Sequence, residues 1–456
     1  MTTLAEQVAQ WVLDFDPASI PASVLEKAKL HVLDSLGCAF GALQEGAPQG
    51  VLRAVAAMGG TPECTVIGLP QRTSAANAVL ANGMLVRHLD LNDSAQEWGG
   101  AGHPSDNISV ALAMGERQGS SGREVLGAVV LGYELYLRSP SSARPWDGST
   151  HSSLVAAAIA GTLLHLPLEQ LANAITLSVA HSNTLSIVRR GQLSAAKSLA
   201  NPMVGRHAVT ATLLAAEGVT GPPTALEEWS EAVFRGADLR MLMGLDPQAK
   251  APAPEGEWRT PYVGLKAHPA IGTAQCALTA ALRVREQLKD PLGEIERIEV
   301  HMADIPFVRG QVADTERRHP TTRESADHSF PFLVAVALLD GELTLRQFQD
   351  GRWFDPAVRT LIDRMVIAVD AGLNKYLPGG FPASVRVRTR SRTDIFEEVP
   401  YHPGHPRNPM TIKQVEAKFH RFSAGSVPEE RRMAIIEAVH HFDEAASIRP
   451  LMSLVQ

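Results

Sequence analysis

The densest reactive chemistry in the sequence falls between residues 88 and 107. It reads His88-Leu-Asp90-Leu-Asn-Asp93-Ser94, then His103-Pro-Ser-Asp106-Asn107. An imidazole exchanges protons near neutral pH, and a neighbouring carboxylate can orient it. A plainer account exists: Ser105 to Asn107 would cap a following helix, and Gly99, Gly100, Ala101 and Gly102 would form a flexible, solvated loop. Two histidines and three aspartates together exceed what capping needs. His103 is therefore expected to move a proton, oriented by Asp93 or, alternatively, by Asp90.

A second constellation is cationic: Arg189-Arg190, Lys197, Arg206, and Lys266 with His268. Arg189 and Arg206 read first as surface charges. Lys266 differs, because it sits in Tyr262-Val-Gly-Leu-Lys266-Ala-His268-Pro269, an apolar and turn-rich stretch at a junction between two regions of different character. Clefts at such junctions favour ligands, and a lysine there suits a carboxylate. Ser194-Ala-Ala-Lys197 and Ser105-Asp106-Asn107 match two penicillin-binding signatures, but in reversed order and without a K-T-G. Nucleotide loops (G-x-G-x-x-G, G-x-x-x-x-G-K-[ST]) and the zinc motif H-E-x-x-H are missing. Cys38, Cys64 and Cys276 are too far apart for a cluster, so no iron–sulfur group is expected. His402, His405, His440 and His441 read as loop or surface histidines, and no metal site is expected.

The elements that must position these groups follow from periodicity. Leu4, Val8, Trp11 and Val12 share a helical face, as do Val24, Ala28 and Val32. A helix from about Ser74 ends at His88, and another covers Ile108 to Met114. Ser121-Gly-Arg-Glu124 has capping-box spacing before the apolar run Val125 to Leu131, and Glu134 interrupts its continuation. Helices are also predicted at Leu154–Leu164, Leu168–Val179 and Val204–Glu217, with a second capping box at Thr224-Ala-Leu-Glu227. Beyond about residue 260 the pattern changes. Ile298, Val300 and Met302 alternate with polar residues; Val385, Val387 and Thr389 alternate with Arg386, Arg388 and Arg390; Met365 to Val369 is a short apolar run. A helix over Phe330–Leu339 lies between these strands, and Glu429–Val439 returns to helix.

The expected fold is mainly α: a large all-helical domain (residues 1–260), an inserted smaller α+β lid domain (261–400), and a return to the helical domain (401–456). With 456 residues, more than one compact unit is expected. Forty-two basic against 49 acidic residues give a net charge of −7, which argues against a broad nucleic-acid-binding face. Widely spaced, odd-numbered cysteines fit a reducing compartment, the start at Met1 to Leu13 lacks signal-peptide character, and no long apolar run suggests a membrane span. A cytoplasmic protein is expected.

These residues resemble the MmgE/PrpD family, which includes 2-methylcitrate dehydratase, cis-aconitate decarboxylase and iminodisuccinate epimerase. The resemblance rests on the 88–107 cluster, on Lys197 with Gly205-Arg206-x-Ala208, and on Glu217-Gly218-Val-Thr220-Gly221-Pro222. It continues in Lys266-x-His268-Pro269, in Pro320-Thr-Thr-Arg323-Glu324-Ser-Ala326-Asp327-His328-Ser329-Phe-Pro331, and in Gly404-His405-Pro406-x-Asn408-Pro409-Met410. It covers nearly the whole chain. It implies a cofactor-free lyase, usually a homodimer, with a di- or tricarboxylate substrate bound between helical domain and lid. Residue by residue it makes Asp93, His103, Lys197 and Lys266 the functional positions; Asp90, Arg206, His268 and His151 are added as substrate contacts. One departure stands out: where the family often has a histidine, this chain reads Trp146-Asp147-Gly148-Ser149-Thr150-His151, so Gly148 takes the place and His151 follows close behind. The loop Gln96 to Gly102 is also unusual in its glycines and Trp98. Dehydration of a 2-methylcitrate-like β-hydroxy acid is the leading expectation, with decarboxylation, epimerisation and an inactive carboxylate-binding protein as alternatives.

Overall fold

The computed structural model describes residues 2–95, 102–235, 237, 239, 243, 245, 258–349 and 351–456. The loop glycines Gly99 and Gly100 and Trp98 lie outside the described residues. The chain is mainly α-helical. Ten helices lead: α1 (Leu4–Leu13), α2 (Ala22–Ala42), α3 (Gly46–Met58), α4 (Ala75–His88), α5 (Ile108–Gln118), α6 (Gly122–Arg138), α7 (Ser152–Leu163), α8 (Leu168–His181), α9 (Ala196–Ala216) and α10 (Ala225–Phe234). Val24, Ala28 and Val32 are all buried on one face of α2, as their spacing predicts. Ser121 and Glu124 form the expected capping box, and α6 runs on through a buried Glu134.

One helix start and one cap differ from the sequence expectation. Helix α9 begins at Ala196, not Val204, and carries Pro202 inside it. An interior proline loses a backbone hydrogen bond and usually costs a helix ~3 kcal/mol, which is why the pattern suggested a later start. Packing offsets that cost. Gly83 of α4 lets the two helices close up, since a Cβ there would lie 3.3 Å from the Pro202 ring. At Thr224 no capping hydrogen bond forms. Glu227 turns away instead and accepts the Leu4 N–H at 2.7 Å, tying α10 to the start of α1.

Helices α1–α10 share one apolar cluster with Val415, Phe419, Ile435, Val439, Leu451 and Met452 near the C-terminus. Those residues belong to helices Ile412–Ser423, Glu429–His440 and Arg449–Val455. A second cluster draws only on residues 270–399. Four short strands, β1 (Cys64–Thr65), β2 (Arg72–Thr73), β3 (Ser94–Ala95) and β4 (Val263–Gly264), precede the sheet of this cluster, which is built from β5 (Ile295–Ala303), β6 (Met365–Asp370), β7 (Ala383–Thr389) and β8 (Asp394–Val399) in the order β6-β5-β7-β8. Strand β5 pairs parallel with β6 and antiparallel with β7. Ile298, Val300, Met302, Val385 and Val387 point inward, under helices Gln275–Arg285 and Phe330–Asp340. Strand β6 is only half-buried beyond Met365, because it is an edge strand. Among the described residues no helix is long and apolar enough to cross a membrane.

Candidate active site

Helix α4 delivers the first acid. It ends at His88, and Asp90 follows in the left-handed region with φ 51°. A side chain there is strained, and such strain persists only where neighbours hold it. Here they are cations. Arg87 Nη1 reaches Asp90 Oδ1 at 3.0 Å, Lys197 Nζ reaches Oδ2 at 3.0 Å, and Lys266 bonds to Oδ1 and, at 2.9 Å, to the Asp90 carbonyl. Burial alone would raise the Asp90 pKa; Arg87, Lys197 and Lys266 outweigh it and hold the group well below the usual carboxylate range.

The two lysines arrive from opposite directions. Lys197 lies in the first turn of α9. Lys266 follows β4 (Val263–Gly264), which pairs with β3 (Ser94–Ala95) directly after the acidic run. Behind β4, the Leu265 N–H bonds to the Gly404 carbonyl at 2.9 Å. Gly404 has φ 92°, and a Cβ on it would lie 2.2 Å from the Leu265 carbonyl oxygen, so glycine is required. Lys418, from the helix Ile412–Ser423, ion-pairs with Asp34 and bonds to the Leu91 carbonyl at 2.9 Å, pinning the turn between the two aspartates.

From the second apolar cluster come groups the sequence reading quoted without a role. Asp327 accepts from Lys197 at 3.0 and 3.1 Å and from Arg323 at 3.1 Å, and it bonds to the His328 ring. His328 Nε2 stands 3.4 Å from Asp90 Oδ2. Burial is opposed by Lys197 and His328, which bring Asp327 down to about 2; burial and then Lys197 lower His328 to about 4. Asp90, Asp327 and His328 lie close enough together to ligate a metal. The Lys197 ammonium already stands among them, 3.4 Å from His328 Nδ1, so the cation of this cluster is the lysine.

Asp93 is held by hydroxyl and amide partners instead, with the Asp106 carboxylate as a like-charged neighbour. Its carboxylate accepts from the Ser105 N–H (3.1 Å), Ser105 Oγ (2.6 Å) and the Tyr133 hydroxyl (2.8 Å). Burial pushes its pKa up to about 7, and these hydrogen bonds only partly counter the rise. The expected carboxylate–imidazole contact does not form. His103 Nδ1 instead meets the Asp93 backbone carbonyl at 2.5 Å. A carbonyl only accepts, so Nδ1 carries the proton and Nε2 is left with its lone pair. Burial, then Arg87 and Lys266, hold the ring well below its usual pKa and keep it neutral. Ser105 to Asn107 form a single 3₁₀ turn and not a cap: the Asp106 carboxylate takes Asn92 at 3.0 Å and Asn201, which in turn accepts from Ser152. Gly102 is needed where it is, because a Cβ there would lie 1.9 Å from the Tyr136 hydroxyl.

Other expected contacts lie elsewhere. Arg206 is half-buried on α9 and is not among the cations around Asp90. His268 turns its ring to the Leu343 carbonyl, and burial lowers it to about 4. His151 is buried between Tyr136 and Phe234, with neither ring nitrogen hydrogen-bonded; burial lowers it to about 4. His402 and His405 are buried, not on the surface, and bond to the carbonyls of Pro403 and Gly379. Arg87, Asn201, Arg323, Asp327 and His328 were the omissions. The signal for the last three was a charged run directly before the helix Phe330–Asp340, which is apolar up to its last residue.

A neutral imidazole that feels the buried cations Arg87 and Lys266 can abstract a proton next to a carboxylate while those charges stabilise the product. Matches to known proteins agree with that chemistry. The MmgE/PrpD N-terminal domain matches residues 6–241, and the MmgE/PrpD C-terminal domain matches residues 268–444. The chain belongs to the MmgE/PrpD family. Within it, the chain is similar to a cis-aconitate decarboxylase-like protein of Aspergillus oryzae, with 24% identity over 98% of this chain and 96% of the relative. The 2-methylcitrate dehydratase of Escherichia coli is 25% identical over 94% of this chain and 92% of its own length. The human cis-aconitate decarboxylase is 22% identical over 100% and 95%. This MmgE/PrpD member is thus similar along its whole length to proteins named for two different reactions.

Proposed function

We propose that this protein is a cofactor-independent lyase acting on a small di- or tricarboxylate, and that its reaction is dehydration of a 2-methylcitrate-like β-hydroxy acid. The observation that carries the reading is the neutral His103 ring, with Nδ1 committed to the Asp93 carbonyl and, among the described residues, no hydrogen bond to Nε2. Nε2 takes the proton beside a substrate carboxylate, and Lys266 and the cations behind it stabilise the enolate-like dianion. The imidazolium so formed returns its proton to the departing hydroxyl, which leaves as water. Asp93 supports this by placing its carbonyl, and Asp90 by fixing Lys266. The relatives named 2-methylcitrate dehydratase favour this outcome. Those named cis-aconitate decarboxylase favour a second reading, in which the same site loses carbon dioxide.

We further propose that residues 261–400 act as a lid inserted in the helical domain and that the chain works as a cytoplasmic homodimer. Support for the lid is the reach of Asp327 and Arg323 to Lys197 and the His88 carbonyl. Three buried, unpaired cysteines agree with a reducing compartment.

Proton NMR in deuterated buffer with 2-methylcitrate, citrate, cis-aconitate, citramalate and an amino-dicarboxylate tests the reading. New vinyl signals from a hydroxy acid are expected. Carbon loss from cis-aconitate would move the protein to the decarboxylase reading. Deuterium uptake without net change would make it an epimerase, and binding without any proton exchange a carboxylate-binding protein.

A further inference from the structure

The inner cations have little hydrogen-bonding capacity left for a ligand. An ammonium has three donors. Lys197 directs its own to Asp90 Oδ2 and both Asp327 oxygens, at 3.0, 3.0 and 3.1 Å. Lys266 gives two to Asp90, and Arg87 is tied to Asp90 and stands 3.7 Å from Asp106. Both lysines are sealed from solvent. A substrate with two or three carboxylates needs another cation with donors to spare.

Arg189 has them. It ends the short turn Ser186–Arg189, which packs beside α9, as does the turn Gly148–His151. Its Nε donates to Asp147 Oδ2 at 2.7 Å. Asp147 is buried, and its other oxygen accepts the Ser149 N–H at 3.0 Å, so the carboxylate is fixed. A guanidinium has five N–H donors, and among the described residues its two terminal nitrogens make no hydrogen bond. The side chain is 27% exposed, unlike the sealed lysines. The turn is held at both ends: the Ser186 N–H donates to the Pro145 carbonyl at 2.7 Å, and Arg317 donates to the Arg189 carbonyl at 3.1 Å. The Arg189 charge is felt at Asp106, which Asn201 ties to α9 one turn beyond Lys197.

We propose that Arg189 binds a substrate carboxylate remote from the reacting carbon, with Asp147 as the residue that positions it. The proposal rests on the polycarboxylate reading above and narrows it: the ligand is a tricarboxylate, and Arg189 takes the third carboxylate, the one a dicarboxylate lacks. Aimed by a buried carboxylate immediately before Gly148, the guanidinium makes the departure at Gly148 a matter of substrate recognition.

The test is calorimetric titration of the full chain with tricarballylate and with 2-methylsuccinate, the same molecule less one terminal carboxylate. Arg189→Gln is expected to weaken tricarballylate about 10- to 100-fold, the scale of a charge-assisted hydrogen bond, while methylsuccinate changes by less than about twofold. Arg189→Lys should fall between. Asp147→Asn should lower the ratio of the two affinities more modestly, a readout that general loosening would not move. Unchanged tricarballylate binding in Arg189→Gln, or equal loss of both ligands, would overturn the proposal and leave the lyase reading standing. If the unaltered protein binds neither probe, the polycarboxylate reading falls and this one with it.

Discussion

Asp90 and Asp93 stand three residues apart and are both buried, yet their surroundings are opposites. Three cations converge on Asp90, and it stays ionised far into acid. Asp93 meets a serine and a tyrosine, and its pKa is pushed up to about 7. Burial is common to the two, so burial does not decide their charge; the neighbours do. The inner cluster is a nearly saturated ion network that joins α4, α9 and the segment 323–328; it fixes geometry and supplies the positive charge that the proposed reaction needs. In the outer cluster the charges are weak and one imidazole nitrogen is open, so that is where a proton can move.

The largest effect should come from the outer cluster. His103→Ala should lower kcat/KM by about 10²- to 10⁴-fold with the melting temperature nearly unchanged. Near-native turnover would erase the division of labour between the clusters. For the inner one, Asp327→Asn leaves Lys197 and Arg323 short of a carboxylate, and breaking such a buried network costs about 3–5 kcal/mol. Denaturant unfolding should show it; a loss under about 1 kcal/mol would mean the network is not structural.

The two aspartates should also separate by pH. Asp93 keeps its proton in the folded state up to about 7 and loses it near 4 when unfolded. Its contribution to stability therefore declines as pH rises between those values. Asp327, at about 2 when folded, contributes above about 4 and is lost as pH falls towards 2. Stability should accordingly fall as pH drops below about 4 and again as it rises between about 4 and 7, and Asp93→Asn should flatten only the second fall, by on the order of a few kcal/mol. An unchanged fall between about pH 4 and 7 in that variant would assign it elsewhere. The smallest effect is expected from Tyr133→Phe. It removes one donor to Asp93, costs about 0.5–1.5 kcal/mol, and shifts the same titration further upward.

Much of the framework was legible because periodicity reports burial locally. The inward faces of α2, β5 and β7 lie where alternation and helical spacing put them. Asp90, Lys197 and Lys266 could be picked out as charges in apolar or turn-rich company. What no local pattern reveals is pairing across more than a hundred residues, so Asp327 and His328 were quoted in a motif but given no partner. Local rules also misled where tertiary contacts prevailed: Pro202 hid the start of α9, and Glu227 left its cap for the Leu4 N–H. The His103 tautomer was illegible for another reason. It depends on a backbone carbonyl, which every residue has.

Glu134, which in the sequence only interrupts an apolar run, accepts the N–H groups of Arg259 (2.9 Å) and Thr260 (2.8 Å) and the Thr260 hydroxyl (2.6 Å). It thus staples the chain to α6 six residues before Lys266, and β4 then registers on β3. The position of Lys266 is consequently set from α6 through Glu134, so a change at a buried carboxylate outside the reacting groups can displace the lysine and reach the chemistry without touching the substrate.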